Sequence, residues 1–115
     1  MTELYLPYPP SANRLWGYGR GRVFKTAEYK GWIEHAGHVL NTQHPGLLAG
    51  PYKMAIQMRE GSSGIDLDNC FKPTSDLMQT MGVIENDKLA RMVSARWVTS
   101  GYDGLYVRVE PAGVE

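Results

Sequence analysis

The chain has 115 residues, and twelve Lys and Arg balance twelve Asp and Glu, so the formal net charge is zero. That length suits one domain spanning 1–115, and an apolar share of 43% excludes intrinsic disorder. A single cysteine, Cys70, excludes an intrachain disulfide and a multi-cysteine zinc site, and no apolar run nears the ~20 residues needed to cross a bilayer. Met1 to Tyr5 has neither the basic nor the apolar region of a signal peptide, so a soluble, intracellular protein without a membrane partner is expected.

Glu3 to Leu6 reads as a short strand, ended by Pro7, Pro9 and Pro10. Ser11 to Lys25 is expected to be an irregular glycine-rich loop. Thr26 is placed to cap a helix running to about Thr42, whose buried stripe is Tyr29, Trp32, Ile33, Ala36, Val39 and Leu40. Pro51 to Arg59 alternates as a half-buried strand does. Gly61 to Gly64 reads as a loop. Asp68 is expected to cap a second helix ending near Met81, with Pro73 tolerated if it falls in the first turn. Gly82 to Leu89 reads as a loop and Ala90 to Thr99 as a strand. Ser100 to Gly104 reads as a turn, with Leu105 to Glu110 as the hairpin partner of that strand. The order β-α-β-α-β-β predicts an α+β fold, with a mostly antiparallel or mixed sheet of about four strands and two main helices.

Zero net charge argues at first against a nucleic-acid partner, but the charge is unevenly spread. Residues 1–60 carry seven basic and four acidic side chains, and residues 61–115 carry five and eight. Between Glu3 and Glu28 there is no acid, while Arg14, Arg20, Arg22 and Lys25 alternate with Trp16, Tyr18 and three glycines. Such a loop suits phosphates and unstacked bases, though it equally suits a solvated surface. The acids gather later, with Asp66, Asp68, Asp76, Glu85 and Asp87 inside 22 residues. Carboxylates that converge on one point need a cation to offset their repulsion, and an all-oxygen set without His or Cys prefers Mg²⁺ or Mn²⁺ over zinc. The plainer alternative is that the Asp-x-Asp pair caps a helix and that Lys72 makes ordinary i,i+4 ion pairs with Asp68 or Asp76. Cys70 reads as a buried structural thiol, and His35 and His38 as a surface pair.

Three strings taken together are more specific than any one of them: Leu6-Pro7-Tyr8-Pro9-Pro10-Ser11-Ala12-Asn13-Arg14, Asp66-Leu67-Asp68-Asn69-Cys70-Phe71-Lys72-Pro73 and Gly82-Val83-Ile84-Glu85-Asn86-Asp87. In this order they resemble the RusA family of Holliday junction resolvases, small endonucleases associated with phages and prophages. The resemblance covers nearly the whole chain. It implies a RusA-like fold and a homodimer in the cytoplasm of a bacterial or phage-infected bacterial cell. That dimer would bind four-way DNA junctions and make paired cuts in opposed strands during recombination and repair, using Mg²⁺ or Mn²⁺. On this resemblance Asp66, Asp68 and Asp87 are the metal-binding acids and Lys72 the essential lysine. Asn13, Arg14 and Asn69 fall at motif positions and, with Arg20, Arg22 and Lys25, are expected DNA contacts. The expected chemistry is in-line attack of water, leaving a 5′-phosphate and a 3′-hydroxyl. Leu89 stands where the family often has Gln, and Asn86 where Asp is common. Two alternatives stand beside it: a non-catalytic junction-binding dimer, against which the intact Asp66, Asp68, Asp87 and Lys72 argue, and a nuclease for flaps or forks, which the same residues fit.

Overall fold

Alternation of apolar and polar residues builds a four-stranded sheet with one buried face. In the computed structural model, which describes residues 1–61 and 65–113, the strands are β1 (Thr2–Leu6), β4 (Tyr52–Arg59), β5 (Ala90–Val98) and β6 (Leu105–Pro111), in the order β1-β6-β4-β5. β6 pairs antiparallel with β1 and β4, and β5 runs parallel to β4, so the sheet is mixed. Leu4, Leu6, Tyr52, Met54, Ile56, Met58, Leu105, Val107 and Val109 all turn to one face and are buried. Helices α1 (Ala27–Thr42) and α2 (Phe71–Thr80) cover that face with Tyr29, Trp32, Ala36, Leu40, Leu77 and Met78. No described helix is long and apolar enough to cross a membrane.

The α+β class, the two helices and the mixed sheet agree with the sequence, and three local expectations need correction. First, Ser11 to Lys25 is not irregular. A short 3-10 helix, Ala12–Arg14, leads into a hairpin of β2 (Trp16–Gly19) and β3 (Arg22–Lys25). Its two-residue turn, Arg20 and Gly21, has positive φ at both positions (52° and 74°), as the twist of a type I′ hairpin requires. The Gly-Arg-Gly string was the turn signal. Second, β6 is not the hairpin partner of β5. It pairs on both of its edges, antiparallel with β1 on one side and β4 on the other. The connection crosses the end of β4, where Arg59 meets Asp103 at 3.3 Å and donates to the Gly101 carbonyl at 3.4 Å. Third, Asp68 does not cap α2. It lies within a 3-10 helix, Leu67–Cys70, that runs straight into α2 at Phe71, so Pro73 falls in the first turn, where no N–H is required. Residues 62–64 of the expected loop lie outside the described residues.

Thr26 caps α1 as expected. Its hydroxyl accepts from the Tyr29 N–H at 3.1 Å and donates to the Arg14 carbonyl at 2.6 Å, which pins the foot of the hairpin to the helix start. At the other end of α1, the Gln43 amide pairs with both backbone groups of Tyr5, at 2.8 and 2.7 Å. That pairing satisfies the outward backbone groups of the edge strand β1 at Tyr5. Among the described residues no strand pairs with the outer edge of β5.

Candidate active site

The first turn of α2 and the loop before β5 meet over the sheet. Lys72 Nζ lies 3.0 Å from Asp76 Oδ1, one helical turn on, and 3.3 Å from Asp87 Oδ2. Asp87 opens a third 3-10 helix, Asp87–Leu89. Three contacts fix it. Its N–H donates to Gln79 Oε1 at 2.9 Å, the Tyr52 hydroxyl donates to its carbonyl at 3.4 Å, and Asn86 Oδ1 caps the turn from the Lys88 N–H at 2.9 Å. Leu89 packs against the core. Both departures from the family pattern, Asn86 and Leu89, therefore serve the local turn. Glu85 is spent elsewhere, accepting from the Gly50 N–H at 2.6 Å.

The charges at this point shift one another. Hydrogen bonds to Asp76 and then Asp87 raise the pKa of Lys72 above its usual value. Lys72 is therefore a cation throughout the neutral range and cannot take a proton from water. Its side chain is 67% exposed, so its ion pairs add little to stability, about 0–1 kcal/mol each at most. Burial raises the Tyr29 phenol, the Asp76 carboxylate raises it further, and Lys72 opposes the shift. Tyr52 is raised by burial and then by Asp87. Cys70 is fully buried and its thiol donates to the Leu67 carbonyl at 3.0 Å. Burial above all, with a contribution from Asp68, pushes its pKa up to about 11, so it is a structural thiol and no nucleophile.

Asp66 and Asp68 stand on the 3-10 turn before α2, both exposed. The rise of that turn and of α2 separates Asp68 from Lys72 by roughly 7 Å along the axis. Neither carboxylate caps a helix or pairs with a cation among the described residues; the Asp66 backbone carbonyl accepts from the N–H of half-buried Asn69 at 3.1 Å. The structure thus brings Lys72 to Asp76 and Asp87, and leaves Asp66 and Asp68 beside them in the chain as free carboxylates. Among the described residues no three His, Cys, Asp or Glu side chains are gathered closely enough to hold a metal between them. The donor set is nevertheless all carboxylate oxygen, which suits a hard divalent cation.

The basic residues flank this point through Tyr29. Arg14 Nη1 reaches Glu28 Oε1 at 3.6 Å, and Asn13 accepts from the Ser11 hydroxyl at 2.7 Å. Lys25 Nζ lies 5.9 Å from the centre of the Tyr29 ring, and the Trp16 ring meets it edge-on at 5.8 Å. The Tyr29 phenol in turn senses Asp76 and Lys72. Arg20 and Arg22 stand farther out, at the exposed turn of the hairpin. Sequence reasoning missed the holding roles of Gln79, Tyr52 and Tyr29. Tyr29 and Tyr52 read only as buried-face residues, and nothing marked Gln79.

The family model described as "Endodeoxyribonuclease RusA" matches residues 7–110. The chain is 31% identical over 116 residues to a crossover junction endodeoxyribonuclease RusA from Aquifex aeolicus (strain VF5), covering 95% of this chain and 90% of that protein. It is 29% identical over 89 residues to a protein of the same name from Escherichia coli O139:H28 (strain E24377A / ETEC), covering 76% of this chain and 74% of the relative.

Proposed function

The chain belongs to the RusA family of endodeoxyribonucleases, and from that premise we propose that it resolves four-way DNA junctions by metal-assisted hydrolysis of a phosphodiester in each of two opposed strands. The observation that carries the site is the pair of free carboxylates, Asp66 and Asp68, running directly into the helix whose Lys72 holds Asp87. Asp66, Asp68 and Asp87 are not gathered beforehand, so one or two Mg²⁺ or Mn²⁺ ions would draw the three carboxylates together on binding. A divalent cation bound there would polarise the phosphoryl oxygens and lower the pKa of an attacking water. Lys72, already a cation, would place its ammonium against the charge that builds on the phosphoryl oxygens, where a fixed donor counts most. Gln79 and Tyr52 would hold the Asp87 turn in place, and Asn69 would hold the Asp66 turn. Arg14, Asn13, Arg20, Arg22 and Lys25 would take the DNA backbone.

One set of acids serves one strand, so paired cuts need a second copy of the chain. The open edge of β5 supports a homodimer there. In register with Met54 and Met58, Val93 and Trp97 continue the core face of the sheet, yet they remain 43% and 37% exposed beyond the helices. A partner that covered them would bury apolar surface, adding ~1.5 kcal/mol or more per side chain once fully enclosed. Trp97→Glu is expected to halve the solution mass measured by light scattering and to abolish paired cutting. An unchanged mass would place the interface elsewhere.

The activity is tested with end-labelled four-way junction, flap and linear duplex. Junction cuts are expected in Mg²⁺, none in EDTA, and restored cuts on adding Mn²⁺. Cutting that persists in EDTA would overturn the metal assignment. Cutting confined to flaps would overturn the junction assignment, and binding without cuts on any substrate would leave a junction-binding dimer. Such an enzyme would act in recombination in the cytoplasm of a bacterial or phage-infected bacterial cell.

A further inference from the structure

The β2–β3 hairpin stands clear of the core, and its two faces differ. Directly opposed residues of an antiparallel pair share a face. Trp16 with Lys25 and Tyr18 with Val23 therefore form one face, and its foot rests on Tyr29. Gly17 with Phe24 and Gly19 with Arg22 form the other. On that second face the Phe24 ring lies directly on backbone. A methyl group at Gly17 would come within 2.5 Å of Phe24 Cε2, and one at Gly19 within 3.6 Å of Cε1. The two glycines thus form a flat bed for the ring, which is 44% exposed. Arg22 lies on the same face and Arg20 at the adjoining turn, within a stretch from Glu3 to Glu28 that has no acid.

We propose that Phe24, laid flat across Gly17 and Gly19, is a stacking platform for one nucleobase unpaired at a DNA branch point. A flat ring with backbone on one side and solvent on the other fits a planar aromatic ligand. The surrounding cations select an anionic one, and a nucleotide is both. The proposal rests on the branched-DNA reading, since a continuous duplex offers no free base face. It also gives the hairpin a second task besides holding phosphates. The foot, where Trp16 and Lys25 rest on the ring of the buried Tyr29, would fix the stacked base relative to helix α1.

The alternative is that Phe24 only stiffens the hairpin by covering two glycines, and the experiment separates the two roles. Four-way junctions carrying 5-iodouracil at the branch point or deep in an arm are irradiated with the catalytically silent Asp68→Asn protein, and the crosslinked peptide is mapped. The expected result is a crosslink at Phe24 from the branch-point base only. Phe24→Leu is expected to weaken junction binding about tenfold, the ~1.4 kcal/mol of one base–aromatic stack, with duplex binding unchanged and Phe24→Trp restoring the loss. Gly17→Ala, which keeps the ring but displaces it, should act like Phe24→Leu. Absence of the crosslink, or equal weakening on junction and duplex, would overturn the platform. A Phe24 crosslink on flap or single-stranded DNA but not on the four-way junction would keep the platform and overturn the junction reading instead.

Discussion

Asp68→Asn is expected to stop DNA cutting while leaving junction binding intact. The side chain is exposed, caps no helix and makes no ion pair among the described residues. Replacing it should therefore change stability by no more than about 0.5 kcal/mol. What it removes is one negative charge from the set proposed to hold the cation. Loss of a site-directed charge of this kind is expected to reduce cleavage by about 10³-fold. Because the basic hairpin is untouched, the junction Kd and its dependence on salt should be those of the parent protein. Single-turnover cleavage and gel-shift assays on one labelled junction measure both. Cutting at the parental rate in Mg²⁺ would remove Asp68 from the mechanism. A large loss of stability would mean that the turn from Leu67 to Cys70 needs this carboxylate to fold.

Lys72→Gln is expected to have the next largest effect, a fall of about 10²-fold in cleavage with little change in binding. The amide keeps much of the length of the side chain but loses the ammonium that lies 3.0 and 3.3 Å from two carboxylates. A lysine ammonium is charged at neutral pH whatever its neighbours do. The group is charged in the working protein, so its loss is the loss of a cation and not of a base. Raising the pH should therefore not rescue the variant, as it would if a proton acceptor had been lost. Lys72→Arg should recover part of the rate, limited by the different shape of a guanidinium. If cleavage is unaffected and binding weakens, Lys72 is a backbone contact and the catalytic charge lies elsewhere.

The periodic parts of the chain were legible in the sequence because burial writes them there. The stripe from Tyr29 to Leu40 and the alternation from Tyr52 to Arg59 each reflect one buried face; both formed, with Gly37 joining the stripe and Ile33 and Val39 only partly buried, and Thr26 caps its helix as read. Connections between elements were not legible. Nothing local says that β6 crosses β4 to lie beside β1, because strand order is decided by which strand must be buried on both edges. The hairpin was missed because its glycines read as looseness. Arg20-Gly21 is a tight turn, and Gly17 and Gly19 are the bed under Phe24. Of the site, the spacing from Asp68 to Lys72 and the later Asp87 were visible as candidates. That Lys72 would reach Asp87 across fifteen residues, and that Asp68 would precede the helix without capping it, depended on the 3-10 turn. The neutral net charge was a sum over unlike parts. The basic hairpin and the acidic turns cancel in the count but occupy separate elements.

Paired resolution requires two copies of this chain to cut two strands in one encounter. A supercoiled plasmid that extrudes a cruciform tests it directly. One nick releases the supercoil and the cruciform is reabsorbed, so only coordinated cuts linearise the DNA. With Mg²⁺ the protein is expected to convert such a plasmid to linear molecules broken across the cruciform base, and Trp97→Glu to yield nicked circles or none. Nicked circles as the main product of the parent protein would contradict paired resolution.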